Sequence, residues 1–542
     1  MIELQQVTFQ YQDGTKPQLR DVDLTIPEGE LAVVVGATGT GKSTLLGLIN
    51  GLVPHFTGGR LQGRVVVDGR STAEFPPREM ADVVGLVRQD PAAGFVTDVV
   101  EDELAYTMES LGVPADVMRR RVEETLDLLG LDRLRNRALR TLSGGERQRV
   151  AIGSVLTAHP RILVLDEPTS ALDPQAAEEV LAAIQRLVHD LGLTVVVSEH
   201  RLERVVQYAD TVLIVHGDGT VSRHTDPSEA MSVSPVEPPL ATLGKRVGWD
   251  PLPLSTRDAR RAAADLRQSL PPMPPLPAVA EPGPTVAQVA KLAVVRSGAP
   301  VLRSIDLQVN AGEIVAVIGR NGAGKTTLLR SFAGSQSPDS GTVQVRGMDP
   351  VELSGKELVA KVGFVPQEPA TMLWAESVAA ECESADTTSD LAPGTTLALF
   401  QTLRNDIDPL THPMDLSEGT RLALVVALVA AGAPDLLLLD EPTRGLDYCA
   451  KSELADVLRE HALRGAAIVL ATHDVELVAE ACTRVVMLGD GDVVLDTDAR
   501  SAATASPAFA PQVAKVFAPL QYLTAAEVTA GVLAQRDSGA KQ

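Results

Sequence analysis

The sequence predicts an α/β protein made of two lobes of one fold, each with a mainly parallel β-sheet core. Three observations predict this fold class. Continuously apolar strands alternate with helical patterns, as in proteins with a parallel sheet. A glycine-rich loop follows one such strand in each half of the chain. The motifs of the first half then recur in the second half in the same order.

The strands of the first lobe are predicted from two kinds of pattern. Val7–Tyr11 and Leu24–Ile26 alternate apolar and polar residues, which favours strands with one buried face. Leu31–Val35, Ile162–Leu165 and Thr194–Val197 are continuously apolar, as expected for central strands covered on both faces.

A phosphate-binding loop of the form G-x-x-x-x-G-K-[ST] follows a strand in both lobes. The loops are Gly36–Ser43 and Gly319–Thr326. Glycines allow the backbone to approach phosphates, a lysine reaches the β- and γ-phosphates, and the hydroxyl binds Mg²⁺. The predicted ATP-binding residues here are Gly36, Thr38, Gly39, Thr40, Gly41, Lys42, Ser43 and Thr44, with Gly319, Asn321, Gly322, Ala323, Gly324, Lys325, Thr326 and Thr327.

Two adjacent carboxylates end a later apolar strand in each lobe, as Asp166-Glu167 and Asp440-Glu441. The aspartate at the strand end suits a contact with Mg²⁺, together with Ser43 or Thr326. The glutamate suits polarising a water that attacks the γ-phosphate. We therefore predict Asp166 and Asp440 as metal-site residues, and Glu167 and Glu441 as catalytic residues.

The offset between corresponding motifs tests the repeat. It is 283 residues for Lys42 and Lys325, 274 for Asp166 and Asp440, and 273 for His200 and His473. The small decrease indicates short deletions in the second lobe, and the near constancy indicates two copies of one domain.

Composition excludes several classes. The net charge of −23 is unfavourable for binding nucleic acid. Three cysteines without paired spacing indicate a reducing compartment and no metal cluster. The N-terminus does not resemble a signal peptide, and the longest apolar stretch, Leu422–Leu439, is broken at Gly432–Asp435. We predict a buried helix, a turn and a buried strand there, not a membrane span.

The segment Leu142–Val150, which begins Leu-Ser-Gly-Gly-Glu, resembles the signature of ATP-binding-cassette (ABC) ATPases. Leu416–Thr420 resembles it in the second lobe. Other family motifs occur in order: Gln89 and Gln367 resemble the glutamine that senses Mg²⁺, and His200 and His473 resemble the switch histidine at the γ-phosphate. Ser170–Asp173 and Arg444–Asp447 resemble the loop that crosses the dimer. The resemblance implies that Tyr11 stacks on adenine and that the signature contacts ATP through Ser143, Gly144, Gly145, Glu146, Ser417 and Gly419.

The resemblance also implies an architecture and a mechanism. Each ABC lobe has an antiparallel β subdomain and a helical signature subdomain beside its core. Two lobes pack head to tail as an intramolecular dimer, and each ATP lies between one phosphate loop and the other lobe's signature. ATP closes the lobes and hydrolysis opens them, which is a ligand-driven switch.

The second signature departs from the family pattern because Glu418 replaces a glycine. A carboxylate there would repel the γ-phosphate, unless it points outward. The hypothesis is that the site with Lys325, Glu441 and the first signature hydrolyses ATP. The site with Lys42, Glu167 and the second signature is expected to be weakened.

Asp90–Glu103 and Ser198–Leu202 resemble the ATPases of energy-coupling-factor (ECF) transporters, which take up vitamins and metal ions. That resemblance implies a peripheral protein on the cytoplasmic face of the cell membrane, bound to an integral coupling subunit. A separate membrane subunit would bind the substrate. Alternatives are the ATPase subunit of another ABC importer or exporter, and a soluble double-cassette translation factor, against which the proline-rich linker and acidic charge argue.

The predicted domain organisation has five parts. Residues 1–235 form the first ABC domain, 236–268 a helical appendix, 269–285 a proline-rich linker, 286–500 the second ABC domain, and 501–542 a C-terminal appendix. Ser255–Asp258 and Thr524–Glu527 both fit a helix capping box, which predicts a helix start in each appendix.

Overall fold

A computed structural model describes residues 1–12, 14, 16–170, 172–273, 283–296, 298–404, 407–506 and 509–539. The chain divides into two compact units, Met1–Ser255 and Thr256–Gln542. Ala171 and linker residues 274–282 lie outside the described residues.

The strands of the first unit form two sheets. In chain order they are β1 (Ile2–Gln10), β2 (Leu19–Ile26), β3 (Leu31–Val35), β4 (Arg60–Val67), β5 (Arg70–Ser71), β6 (Val84–Val87), β7 (Ile162–Asp166), β8 (Thr194–Ser198), β9 (Thr211–Val215) and β10 (Val221–His224). One sheet is antiparallel with the order β2-β1-β4-β5. The other has the order β10-β9-β3-β8-β7-β6 and is parallel except for β10.

The helices of the first unit cover the parallel sheet and form the signature subdomain. They are α1 (Lys42–Ile49), α2 (Leu52–His55), α3 (Pro77–Met80), α4 (Val100–Ser110), α5 (Ala115–Leu129), α6 (Gly144–Leu156), α7 (Pro174–His189), α8 (Leu202–Val205), α9 (Pro227–Val233) and α10 (Pro239–Val247). Helices α4, α5 and α6 pack closely: a Cβ added at Gly153 of α6 would lie 2.7 Å from Leu104 and 3.1 Å from Leu129.

The second unit repeats this architecture. Its strands are β11 (Thr285–Arg296), β12 (Ala299–Asn310), β13 (Ile314–Ile318), β14 (Ser340–Val345), β15 (Val362–Val365), β16 (Leu436–Asp440), β17 (Ala467–Ala471), β18 (Arg484–Gly489) and β19 (Asp492–Asp498). An antiparallel sheet has the order β12-β11-β14, and a larger sheet has the order β15-β16-β17-β13-β18-β19. Read from β19, the larger sheet has the same order and directions as that of the first unit.

The described helices of the second unit include three outside the repeated fold. Its helices are α11 (Thr256–Ala262), α12 (Ala264–Ser269), α13 (Lys325–Phe332), α14 (Gly355–Lys361), α15 (Val378–Thr388), α16 (Thr395–Leu403), α17 (Glu418–Ala430), α18 (Tyr448–Leu463), α19 (Val475–Ala481), α20 (Ala499–Ala505), α21 (Gln512–Phe517) and α22 (Ala525–Gly539). Helix α21 follows α20 as α10 follows α9, so the helices outside the repeated fold are α11, α12 and α22.

The strand and helix predictions made from periodicity are confirmed. All five residues of β3 and of β8 are buried, as their continuous apolar sequences predict. The stretch Leu422–Leu439 spans the buried helix α17 and the buried strand β16, with the turn between them. Among the described residues, no helix has the length and apolar character needed to cross a bilayer.

The segment before the linker packs within the second unit. Ala259 in α11 and Ala263 directly after this helix are fully buried, and α11 contacts α21. Arg267 donates a hydrogen bond to the carbonyl of Ala518 at 2.8 Å, and Tyr522 donates one to the carbonyl of Pro271 at 3.0 Å. The appendix predicted at 236–268 therefore spans both compact units: α10 lies in the first, and α11 and α12 lie in the second.

The capping box predicted at the start of α22 is present in modified form. The hydroxyl of Thr524 accepts a bond from the backbone N–H of Glu527 at 3.2 Å, and the Glu527 carboxylate accepts one from Leu523 at 2.6 Å. In the usual pattern the glutamate carboxylate accepts from the N–H of the capping residue, which is Thr524 here, whereas the Glu527 carboxylate accepts from the residue before it. The N–H groups of Leu523 and Glu527 are both hydrogen-bonded.

Candidate functional site

Each phosphate loop connects a central strand to a buried helix. In the first unit, β3 runs into Gly36, and α1 begins at Lys42 after Gly41, which has φ of 108°. A Cβ at Gly36 would lie 2.6 Å from the carbonyl oxygen of Val215, so only glycine fits the turn. The exposed N–H groups at the start of α1 form a cradle for an anion.

The lysine of each loop folds back onto the loop itself. Lys42 is 6% exposed and donates to the carbonyls of Gly36 and Ala37 at 2.9 and 3.0 Å. Lys325 donates to the carbonyl of Gly319 at 2.9 Å. These carbonyl contacts hold each ammonium group over its loop, where a phosphate would lie.

The other residues predicted for the loops lie where the motif requires. Gly319 has φ of 148°, and a Cβ there would lie 2.4 Å from the Leu488 carbonyl. Gly324 caps α13 with φ of 103°. The remaining predicted residues fill the two turns or begin the helices: Thr38, Gly39, Thr40, Ser43, Thr44, Asn321, Gly322, Ala323, Thr326 and Thr327.

Tyr11 lies immediately after β1, next to the first loop. Its hydroxyl is 2.9 Å from the hydroxyl of Thr44, and its ring packs edge-on against Phe9. The ring is half-buried, so part of its surface is left for a base. Its role as the adenine platform stays a prediction.

The aspartate at the end of β7 is half-buried and lies beside hydroxyl groups. Asp166 accepts a hydrogen bond from the Ser198 hydroxyl at 2.6 Å. Burial raises the pKa of Asp166, the hydrogen bonds from Ser198 and Ser43 lower it, and the charge of Glu167 raises it further. Removal from water is the largest of these influences, because it disfavours the charged form.

The corresponding Asp440 at the end of β16 accepts a hydrogen bond from Thr326 at 3.1 Å. Burial raises the pKa of Asp440 to about 6, against the lowering effect of that bond. A carboxylate and a hydroxyl converging beside a phosphate loop are the oxygen ligands that Mg²⁺ prefers. The donor set thus fits the metal, and Ser43 with Asp166 provides the same pair in the first unit.

Glu167 follows Asp166 and is held by the other predicted residues of its lobe. His200 Nε2 lies 2.7 Å from Glu167 Oε1, and Gln89 donates to Oε2 at 3.0 Å. Its backbone N–H donates to the Ser198 carbonyl at 3.1 Å. Glutamate, switch histidine and glutamine therefore form one cluster at the end of β7.

The second unit brings together a related but different cluster. His473 Nδ1 lies 2.7 Å from Glu441 Oε2, and Lys325 Nζ lies 3.9 Å from Oε1. Gln367 is exposed, and no bond from it to Glu441 is found among the described residues. The predicted glutamine thus joins the carboxylate in the first unit only.

The first signature begins a helix with a capping box. The Ser143 hydroxyl accepts from the backbone of Glu146 at 3.3 Å, and the Glu146 carboxylate accepts from the backbone of Ser143 at 2.7 Å. Gly144 is the first residue of α6, and a Cβ at Gly145 would lie 2.7 Å from that of Ala176. The first two residues of this helix, Gly144 and Gly145, therefore have no side chain of their own beside their N–H groups.

The second signature begins α17 with Ser417 as its cap, which accepts from the backbone of Thr420 at 3.2 Å. Glu418 is turned toward its own unit, where its carboxylate lies 2.8 Å from Arg444 Nε. Gly419 packs against the turn that contains Arg444, since a Cβ there would lie 2.4 Å from the Gly445 carbonyl. The alternative that Glu418 simply points outward is thus replaced by a specific ion pair.

Sequence reasoning missed several residues that support these clusters. Gln18 donates to the carbonyl of Gly39 in the first loop at 2.8 Å. Glu199 is buried, accepts from the backbone of Thr169 at 2.8 Å, and has a pKa raised by burial. Arg204 donates to the carbonyl of Thr169 at 3.1 Å. Only the position of Glu199 beside His200 could have drawn attention to it.

Comparison with known proteins gives a consistent result. The family model described as ABC transporter matches residues 19–170 and 302–444. The chain is 55% identical over 558 residues to a Streptomyces coelicolor protein provisionally named as an ABC transporter ATP-binding protein, covering 97% of this chain and 99% of that protein. A Methanosarcina mazei protein with the same provisional name is 32% identical over 526 residues, covering 92% and 88%.

Among solved structures, an archaeal ribosome recycling factor, aABCE1, in complex with the ribosomal stalk protein aP1 matches with a TM-score of 0.58 and 20% identity. The match covers 92% of this chain and 90% of that chain. At that identity the match is evidence for the fold, which is a tandem of two α/β nucleotide-binding lobes.

Proposed function

The chain belongs to the family of ABC transporter ATP-binding proteins, and on that premise we propose that it is the energy-coupling subunit of an ECF-type transporter. Its ABC domains bind ATP with Mg²⁺ and hydrolyse ATP to ADP and phosphate. The proposed cargo class is a vitamin or a metal ion, which a separate membrane subunit would bind. Lobe movement driven by ATP would be transmitted to an integral coupling subunit.

The observation that carries the ATPase part of this proposal is the pair of carboxylate–histidine contacts beside the two phosphate loops. Glu167 with His200 and Glu441 with His473 are each 2.7 Å apart, at the end of the strand next to a loop lysine. A transporter ATPase needs a residue that activates water only when ATP is in place. A glutamate held by a histidine fits that role.

The reaction is an in-line displacement at the γ-phosphorus. The glutamate accepts a proton from water as the new O–P bond forms, and the bond to the β-phosphate oxygen breaks as ADP leaves. Lys42 or Lys325 stabilises charge on the transferred group, and the loop N–H groups orient it. Mg²⁺, held through Ser43 with Asp166 or Thr326 with Asp440, would neutralise the β- and γ-phosphates when bound.

The proposed working form is an intramolecular dimer of the two lobes. Each ATP would be bound by the phosphate loop of one lobe and the signature of the other. Support comes from two sets of motifs in one chain, the second with Glu418 in place of a signature glycine. The signature serines begin helices of 13 residues in both units, where N–H groups and helix dipole favour an anion. The sites are proposed to be unequal, with faster turnover at Lys325, Glu441 and Ser143.

The proposed membrane contact lies in the segments after Gln89 and Gln367. In the first unit, Glu103 is buried and accepts from the backbone N–H groups of Val96 and Thr97 at 3.0 and 2.8 Å, while the side chain of Val96 is 61% exposed. A turn fixed by buried hydrogen bonds that presents an apolar side chain suits a partner helix. The proposed location is the cytoplasmic face of the cell membrane.

The test is affinity purification of the full chain from detergent-solubilised membranes of its own host, followed by identification of co-purified integral proteins. We expect a coupling subunit and a small substrate-binding membrane protein. Val96→Glu should reduce their recovery. Leu191→Glu, at a residue of similar exposure (54%) outside this segment, should not.

Other outcomes are informative. Recovery of integral subunits of a different importer or exporter would keep the ABC assignment and reject the ECF type. Co-sedimentation with ribosomes that survives high salt, without any membrane subunit, would reject the transport role.

A further inference from the structure

The two signatures differ at one residue, and the loops that follow the catalytic glutamates differ at another. The first unit has Gly144 and Ser170, and the second has Glu418 and Arg444 at the corresponding positions. Glu418 and Arg444 are not neighbours in sequence. Their side chains are in contact in the structure, since Glu418 Oε1 is 2.8 Å from Arg444 Nε.

The backbone brings the Glu418 and Arg444 side chains close to each other. Gly445 has φ of 69°, and a Cβ there would lie 3.1 Å from the N–H nitrogen of Gly419 and 3.2 Å from the Cβ of Glu418. The start of α17 and the turn after Glu441 are therefore in close contact. The two side chains are 23% and 22% exposed, so the pair is largely shielded from water.

The charges of Glu418 and Arg444 affect how well the start of α17 can accept a phosphate. Ser417 caps α17 and Glu418 is its first residue, so the carboxylate lies beside the N–H groups that would approach a phosphate. An unpaired carboxylate there would oppose an anionic ligand, whereas a paired one adds little net charge. Arginine keeps its charge at any physiological pH, so its attraction to the carboxylate does not depend on a change of protonation.

We infer that Arg444 is a positioning residue that neutralises Glu418 and so keeps the second signature able to accept the γ-phosphate of ATP bound at Lys42. The inference rests on the proposed function, because it requires the signature of one lobe to face ATP on the other. It separates binding from turnover: the site with Glu167 and Ser417 holds ATP even though its hydrolysis is slower.

The experiment measures binding of radiolabelled ATP with Mg²⁺ to the full chain carrying Lys325→Ala, so that the signal reports the Lys42 site. Arg444→Ser, which copies the residue of the first unit, should weaken binding roughly five- to tenfold because it removes the guanidinium charge that faces the Glu418 carboxylate. Adding Glu418→Gly to Arg444→Ser should restore the Kd to within about twofold of the parent.

Three further variants separate charge from structure. Arg444→Lys keeps the charge and should bind within about threefold of the parent. Glu418→Gln with Arg444→Ser removes the charge without opening space, and should also restore binding if the glycine variant folds poorly. Arg346→Ser breaks an ion pair with Asp435 at the other end of β16 and should leave the Kd unchanged.

Salt gives a readout that a purely structural role would not change. The defect of Arg444→Ser should shrink as ionic strength rises from about 0.05 to 0.5 M, because the repulsion is screened. The inference is overturned if Arg444→Ser binds like the parent, or if neither double variant restores binding.

Ser417→Ala distinguishes failure of this inference from failure of the proposed function. If Ser417→Ala leaves ATP affinity unchanged, the opposed-lobe arrangement is wrong and the role of Arg444 falls with it. If Ser417→Ala weakens binding and Arg444→Ser does not, only the role of Arg444 is rejected.

Discussion

Glu167 and Glu441 have φ angles of 51° and 53°, in the left-handed region that costs a residue with a Cβ roughly 1–2 kcal/mol. Each is pinned by a hydrogen bond from its N–H to the neighbouring strand, at Ser198 and at Ala471. The same unfavourable conformation at both proposed catalytic positions indicates that side-chain placement is maintained at the expense of stability.

Replacing either glutamate by glutamine tests the inequality of the two sites. Glu441→Gln should lower ATP turnover by at least about 100-fold, the loss typical of a missing general base. Glu167→Gln should lower it by less than about tenfold, since that site is proposed to contribute little turnover. Steady-state phosphate release measures both. Equal losses would contradict the unequal-site proposal.

Asp440 makes the stability of the second unit depend on pH. The pKa of Asp440 in the folded protein is raised from its ordinary value to about 6. The free energy of unfolding therefore decreases as the pH rises from the ordinary aspartate pKa to about 6, and it changes no further above that pH. Asp440→Asn removes the charge. It should therefore stabilise the Mg²⁺-free protein at pH 7.5, by on the order of 2–3 kcal/mol.

Thermal unfolding of the two proteins at pH 5.0 and 7.5 measures this effect. The advantage of Asp440→Asn should be about half as large at pH 5.0 as at pH 7.5, because aspartate in the unfolded chain already ionises near pH 4. A constant difference at both values would show that the amide acts through packing, not charge. Asp435→Asn, at the opposite end of the same strand and paired with Arg346, is the matched control.

Residues were predictable from sequence where a motif fixes both residue type and neighbours. The phosphate-loop lysines, the strand-end carboxylates and His200 are of this kind. Arg444 was not predictable as a partner, because the pairing with Glu418 depends on the distance between a helix start and a turn. Gln18 lies just before β2, distant in sequence from the phosphate loop, and no local pattern predicts its contact with Gly39.

At the scale of elements, strands with continuous apolar sequences and helices after glycine-rich loops were predicted well, since their patterns are local. The placement of α11 and α12 was not, because it depends on contacts with α21 and α22 near the other end of the chain. Leu270 is buried, and a Cβ at Gly531 of α22 would lie 3.1 Å from it. A local sequence pattern cannot predict such packing between distant segments.

This packing predicts a difference between two versions of the second unit. A fragment of residues 256–542 should unfold at a temperature at least about 5 °C higher than residues 285–542, since the shorter one loses the buried contacts of Ala259, Ala263 and Leu270. The matched control is residues 1–273 against 1–255, where the same segment should add no stability to the first unit.

Circular dichroism during heating measures all four fragments. If the segment stabilised both units equally, or neither, its assignment to the second unit would be wrong.

At the scale of the whole molecule, the repeat was the most informative feature of the sequence. A nearly constant offset predicted two units of one topology, and the two larger sheets have matching strand orders. Within the described ranges the antiparallel sheets differ, since four strands form the sheet of the first unit and three form that of the second. The lobes have thus kept the layer that carries the phosphate loops more strictly than the layer beside it.

The polypeptide enters the second unit before it reaches the proline-rich stretch. Residues 256–273 are covalently continuous with the first unit, yet they are packed against helices that follow residue 510. A protease that cut once between residues 274 and 282 would therefore produce two fragments that co-migrate on a native gel and separate only in denaturant.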